Sequence, residues 1–119
     1  MSLVILRQNN CDTFYISQSY FRLPRHTIRE NMNFLIMFSQ DSKNLQHIYA
    51  DHCDRDMSLA EFKRFCQAVW SSGPHHFVTL DLTSDKWNGR YRKNLDCFYI
   101  PTDQTDKKEV DELINSIAS

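Results

Sequence analysis

Apolar and polar positions change period several times along this chain, and each change marks an element. Leu3 to Leu6 is a short apolar run, a strand or a helix end. Thr13-Phe14-Tyr15-Ile16-Ser17 has the β-branched and aromatic content of a strand and stops at the polar pair Gln18-Ser19. Pro24 suits the first turn of a helix running to about Met32, with Ile28 and Met32 on its inner face. Phe34 to Phe38 is uniformly apolar, as in a parallel-sheet strand covered on both faces. Cap candidates at Ser39 to Ser42 precede a helical stripe of Leu45, Ile48, Tyr49 and His52.

The next helix is the most fully specified. Ser58 and Glu61 stand at capping-box spacing, Met57 and Phe62 at staple positions, and Gly73-Pro74 ends it. Its stripe of Phe62, Phe65, Cys66, Val69 and Trp70 offers several kcal/mol of burial, at ~1.5 to 3 kcal/mol per large side chain. Phe77 to Thr83 alternates, with Val78, Leu80 and Leu82 opposite Thr79, Asp81 and Thr83, and reads as a half-exposed strand near the sheet edge. Asn88-Gly89 signals a turn, and Leu95 to Ile100 a strand stopped by Pro101, so these two strands are expected to form a long-looped hairpin. Val110, Leu113, Ile114 and Ile117 mark a last amphipathic helix.

That order predicts an α/β fold with a mainly parallel centre, an antiparallel edge hairpin and three to four helices. With 119 residues and no repeat or linker, the chain reads as a single domain over 1–119, burying roughly two-thirds of its unfolded surface. Hydrophobic residues at 41% and charged residues at 24% exclude a low-complexity chain. Glycine changes the picture: there are two, Gly73 and Gly89. Neither a Walker A loop nor a dinucleotide turn can be written with them, because phosphate must approach backbone amides with no Cβ in the way.

Fourteen Lys and Arg against fifteen Asp and Glu leave a formal charge of -1, so any nucleic-acid contact has to be local. Cys11, Cys53, Cys66 and Cys97 form no C-x-x-C pair and follow no signal-peptide pattern, which predicts reduced cysteines and an intracellular location, with cytoplasm, nucleus and virion undistinguished. No apolar run approaches the ~20 residues of a membrane span, so no membrane partner is expected.

Three groups of residues could carry chemistry. Gln18 follows a strand, where ligands of open α/β sheets bind; it is either a ligand-side residue or a turn residue bonded to local backbone. Arg22, Arg25 and Arg29 recur at helical spacing without an evident acidic partner, as a phosphate-capturing set or a solvated basic face. Lys86, Trp87, Arg90, Arg92 and Lys93 crowd cations and rings into eight residues with Tyr91, suited to phosphate contact and base stacking or to a solvated hairpin loop. His47, His52, Cys53, His75 and His76 match no zinc spacing, and no metal site is expected. Phe77 to Asp81 mimics a Walker B strand, but with no phosphate loop and with Thr79 interrupting the apolar run it reads as a plain edge strand.

The ordered segments carry a resemblance. Asn10 to Phe21, Leu23 to Asn31, Gln40 to Leu45, His47-Ile48-Tyr49, Asp51-His52, Asn88 to Arg92 and Leu95 to Pro101 together resemble the carboxyl-terminal half of viral and transposon genome-packaging ATPases. These are P-loop motors of the FtsK/HerA superfamily, of poxvirus type, and the likeness is greatest to those of Polinton (Maverick) elements. The resemblance spans roughly residues 7 to 101. It implies a partial P-loop NTPase-like sheet in which Gln18 is the polar sensor that helps position the attacking water. It also implies an arginine acting in trans on a neighbour's nucleotide, with Arg7, Arg25 and Arg29 as candidates; the tract around Arg7 reads Leu6-Arg7-Gln8 where the family tends to carry Gly-Arg-His.

The phosphate loop, its lysine and the Walker B acid are missing from the sequence, which therefore looks like a truncated family member, inactive alone. No cofactor is expected on this chain; ATP and magnesium belong to a full-length relative. Expected partners are DNA through the basic loop and other ATPase subunits in a homo-oligomer. The truncation further implies an exposed apolar sheet edge at Thr13 to Ser17. Two functions compete: a fragment of a DNA-packaging motor, and a small intracellular module that binds nucleic acid or protein without catalysis.

Overall fold

The structure, a computed structural model, describes residues 2–8, 11–17, 20, 23–24, 26, 28, 31–101 and 107–118. In chain order the elements are β1 (Ser2–Gln8), β2 (Cys11–Ser17), β3 (Phe34–Met37), α1 (Ser42–Ile48), α2 (Leu59–Ser71), β4 (Val78–Asp81), β5 (Tyr91–Lys93), β6 (Cys97–Tyr99) and α3 (Lys107–Ala118). A π-helical turn, Tyr49–Cys53, continues directly from α1. The strands form one sheet in the order β2-β1-β3-β4-β5-β6.

Every pair in that sheet is antiparallel, so the mainly parallel, P-loop-like centre expected from the element order does not form. The reason lies in the connection. One helix between two strands brings the chain back to its starting end and makes them parallel; α1 and α2 in succession carry it back again, so β4 runs against β3. The apolar run at Phe34 to Met37 did identify a strand covered on both faces, but that pattern carries no strand direction.

The expected position of the Val78 strand is also corrected. All four residues of β4 are buried, and β4 lies in the sheet interior between β3 and β5. The expected hairpin partner, β6, pairs instead with β5, a three-residue strand written within the basic loop. The half-exposed reading failed because β5 covers the second edge of β4 and because Asp81, buried among these strands, is neutralised by Arg92.

Caps and packing follow the sequence closely. The Asp41 side chain accepts from Asn44 N–H at 2.8 Å to start α1, and Ser58 Oγ accepts from Glu61 N–H at 3.1 Å to start α2. Glu61 itself is buried, and its carboxylate accepts the Tyr99 hydroxyl at 2.6 Å. Phe62, Phe65, Cys66 and Val69 of α2 are fully buried, with Phe65 stacked on Tyr99 at 4.6 Å and edge-on to Tyr91 at 6.5 Å. Trp70 Nε1 donates to Met37 O at 3.1 Å, and Arg64 pairs with Asp111 to join α2 to α3. Near Pro24 a helical bond runs from Ile28 N–H to Pro24 O at 3.0 Å, and Ile28 and Met32 are buried as the spacing predicts; Asn31 already lies in a turn, and residues 25, 27, 29 and 30 of the predicted helix fall outside the described residues.

Register divides the sheet into two unlike faces. Leu35, Leu80, Tyr91 and Tyr99 stand opposite one another in successive strands and bury themselves under the helices. Ile36, Thr79, Arg92 and Phe98 form the neighbouring row on the other face.

Candidate functional site

Where β4 ends, the chain enters the connection 82–90, which faces the π-helical turn across an open cleft of about 970 Å³. Two junctions hold these walls. Arg90 Nη1 donates to Leu82 O at 3.4 Å and Ser84 O at 3.1 Å, while Nη2 reaches His52 O at 2.9 Å. Its Nε lies 3.2 Å from Asp56 Oδ2, an ion-pair distance at an angle too poor for a hydrogen bond. One guanidinium thus ties the β4–β5 connection to the helical side, because its fork of five N–H donors can serve several carbonyls at once.

The second junction is aromatic. Tyr20 is fully buried; its hydroxyl donates to Asp51 Oδ2 at 2.7 Å and lies 2.9 Å from His52 Nε2. Tyr91 donates to Asp56 Oδ2 at 2.5 Å from beneath the same turn. Burial, then the neighbouring Cys53 and Asp56, push the Tyr91 hydroxyl far above the ordinary phenol range. The Cys53 thiol, also buried, is pushed up to about 12, so it is a neutral packing group. The π-helical turn makes this arrangement possible. By widening the helix at Tyr49, it turns His52 out of the simple stripe expected with Leu45 and Ile48 and toward Tyr20.

The five residues of the predicted nucleic-acid set do not form one cationic surface. Lys86 lies 4.9 Å over the Trp87 ring at the cleft rim, where Trp87 is exposed. Arg90 is the tie just described. Arg92 bonds Asp81 at 2.9 Å and Gly89 O at 2.7 Å, with its guanidinium 4.6 Å from the Phe98 ring. Lys93 points to the helical face and donates to Ile117 O at 2.9 Å. The separation of Arg92 from Lys93 follows from strand alternation: neighbours in β5 project to opposite faces. The cleft wall carries Asp51, Asp54, Asp56 and Asp85 against Arg55, Lys86 and Arg90, so carboxylates outnumber cations.

Arg7 occupies a β1 position opposite Asp12, and its side chain lies outside the described residues. Gln18, Arg22, Arg25 and Arg29 fall outside them altogether. Neither glycine fits a phosphate cradle. A Cβ at Gly89 would meet the Phe98 ring at 2.8 Å, and one at Gly73 would meet His76 at 2.9 Å, so each makes room for a side chain of this protein. Asp56, which the sequence did not single out, proves central, as do Tyr20, Asp51 and Asp81, which it named without these roles. Against known protein families, characterised sequences and solved structures, the chain finds no match. Among the described residues, no helix is long and apolar enough to cross a membrane.

Proposed function

We propose that this chain acts as the carboxyl-terminal, non-nucleotide-cradling part of a genome-packaging ATPase, contributing a sensor strand and a trans-acting arginine to nucleotide held by another chain. The reading rests on convergence. Residues from segments that are separate in sequence meet in space: Tyr20 bonds Asp51 and approaches His52, and Arg90 reaches the His52 carbonyl. A ligand-free motor element needs such ties, because a polar group beside reacting phosphate is useful only if its backbone is held in place. Gln18 lies two residues before that junction in the chain. Neither Gly73 nor Gly89 offers a phosphate cradle of its own, because a neighbouring ring lies where a Cβ would stand, so the reading assigns ATP and magnesium to the other chain.

Co-expression with the phosphate-loop half of a packaging ATPase tests this. Magnesium-dependent ATP hydrolysis is expected from the pair and from neither part alone, and Gln18→Ala is expected to abolish it. Tight ATP binding by this chain alone, or no hydrolysis by a stable pair, overturns the reading.

A further inference from the structure

We propose that Asn88 is a self-modification site, where the backbone nitrogen of Gly89 displaces the side-chain amide and leaves aspartate or isoaspartate at the cleft rim. This inference is independent of the nucleotide reading. Of the asparagines in the chain, Asn88 is the one followed by glycine. Glycine has no Cβ to shield its own nitrogen, so that nitrogen can close on the preceding side-chain carbonyl carbon. Asn88 is exposed and lies in a turn, outside any helix or strand that would fix its backbone. Asn94 precedes the bulky Leu95, and Asn44 lies within α1, so neither offers the same approach.

The reaction needs only water. Gly89 N gives up its proton and bonds to Asn88 Cγ, while the Cγ–Nδ2 bond breaks and Nδ2 leaves as ammonia with a proton gained in exchange. The product is a five-membered imide. Water then opens it at Cγ, restoring the chain as aspartate, or at the Asn88 backbone carbonyl carbon, leaving the chain routed through Cγ as isoaspartate. No oxidation or reduction takes place. Because the reacting atoms belong to neighbouring residues, no second molecule has to be positioned.

Asp85 sets the pace. Its carboxylate accepts from Asn88 Nδ2 at 2.9 and 3.0 Å, gripping the leaving nitrogen through both oxygens. The same residue accepts the N–H groups of Trp87 at 3.0 Å, Asn88 at 3.1 Å and Arg90 at 3.3 Å. A side chain held in one position samples the attacking geometry less often than a free one. The grip is exposed, however, and two such hydrogen bonds of modest net strength slow attack by about tenfold without stopping it.

The product cannot restore the grip. An amide donates to Asp85, whereas a carboxylate in its place only accepts, so two like charges face each other. Isoaspartate adds a backbone atom beside Gly89, whose φ of +90° and contact with the Phe98 ring leave no slack. Either product loosens the turn that carries Trp87 and leads into Arg90, and so weakens the Arg90 tie to the His52 carbonyl across the cleft.

Incubating the unaltered full chain at neutral pH and mapping it by peptide mass spectrometry tests this. The mass gain of an amide-to-acid exchange is expected at Asn88, at a rate that rises with pH because the attacking nitrogen must shed its proton. In urea, where Asp85 no longer holds the amide, conversion is expected to be about tenfold faster. Asp85→Ala should approach that rate with its circular dichroism spectrum retained, and Asn88→Gln should show no conversion at this position. Backbone hydrogen exchange across 82–90 should quicken in Asn88→Asp. No conversion at Asn88 in the folded chain overturns the proposal, as does a folded rate equal to that in urea. Unchanged exchange in Asn88→Asp overturns the loosening of the cleft wall.

Discussion

The guanidinium of Arg92 lies 2.9 Å from the carboxylate of Asp81, eleven residues earlier and one strand away, and both side chains are largely buried. The same carboxylate accepts from the Thr83 N–H at 3.1 Å, the Thr83 hydroxyl at 2.6 Å and the Ser84 hydroxyl at 3.0 Å. Removing one charge strands the other. Asp81→Asn is expected to cost about 3 kcal/mol in urea unfolding, and Asp81→Leu combined with Arg92→Leu to cost distinctly less. A double variant as unstable as the sum of its singles would contradict the pairing.

Thr79 stands beside that pair in the sheet interior. It is fully buried, and its hydroxyl finds no hydrogen-bond partner among the described residues. Thr79→Val keeps the branched shape and removes the stranded hydroxyl. It is expected to stabilise the protein by about 1 kcal/mol, read as a raised urea midpoint at unchanged slope. A loss of stability would show that the hydroxyl is satisfied.

Alkaline pH should unfold this protein through its thiols and phenols. Burial raises Cys53 to about 12 from 9.0 and raises Cys66 well above that ordinary value. The folded chain keeps these protons while the unfolded chain releases them. The stability they contribute is therefore complete below about pH 9 and is lost as pH rises toward the folded pKa, at ~1.4 kcal/mol per pH unit for each thiol. Tyr91 and Tyr99, raised first by burial, add to the loss above about pH 10. The melting temperature should fall steeply from pH 9 to pH 10.5. A flat profile would show that the thiols are solvated.

Gly89 has φ of +90°, and the ring of Phe98 occupies the space a Cβ would need. Gly89→Ala therefore combines backbone strain with a clash and is expected to cost about 2 kcal/mol. Gly73→Ala meets only the movable His76 side chain and should cost less. Thermal melts of the two variants compare them directly, and equal losses would contradict the role given to φ.

Local pattern made much of this fold legible. The Ser58 cap, the α2 stripe, the buried Phe34 strand and the last helix all follow from spacing, because caps and amphipathic faces are decided within a few residues. The basic loop was less legible. Its cations were countable, yet Arg90, Arg92 and Lys93 are spent on His52 O, Asp81 and Ile117 O, partners 38, 11 and 24 residues away.

The sequence by itself determined most of the helices and strands, though not β5 or the π-helical turn, and also which side chains can fill a core and that two glycines cannot build a phosphate loop. These depend on side-chain period, volume and backbone freedom, which are properties of neighbouring residues. Tertiary structure alone decided strand direction, the interior place of β4 and the sidedness of the sheet. The physical reason is that a period of two assigns alternate residues to two faces without saying which face the helices will cover. Only when α1, α2 and α3 settle over Leu35, Leu80 and Tyr91 do Phe14, Phe34 and Phe98 fall on the opposite face of the sheet.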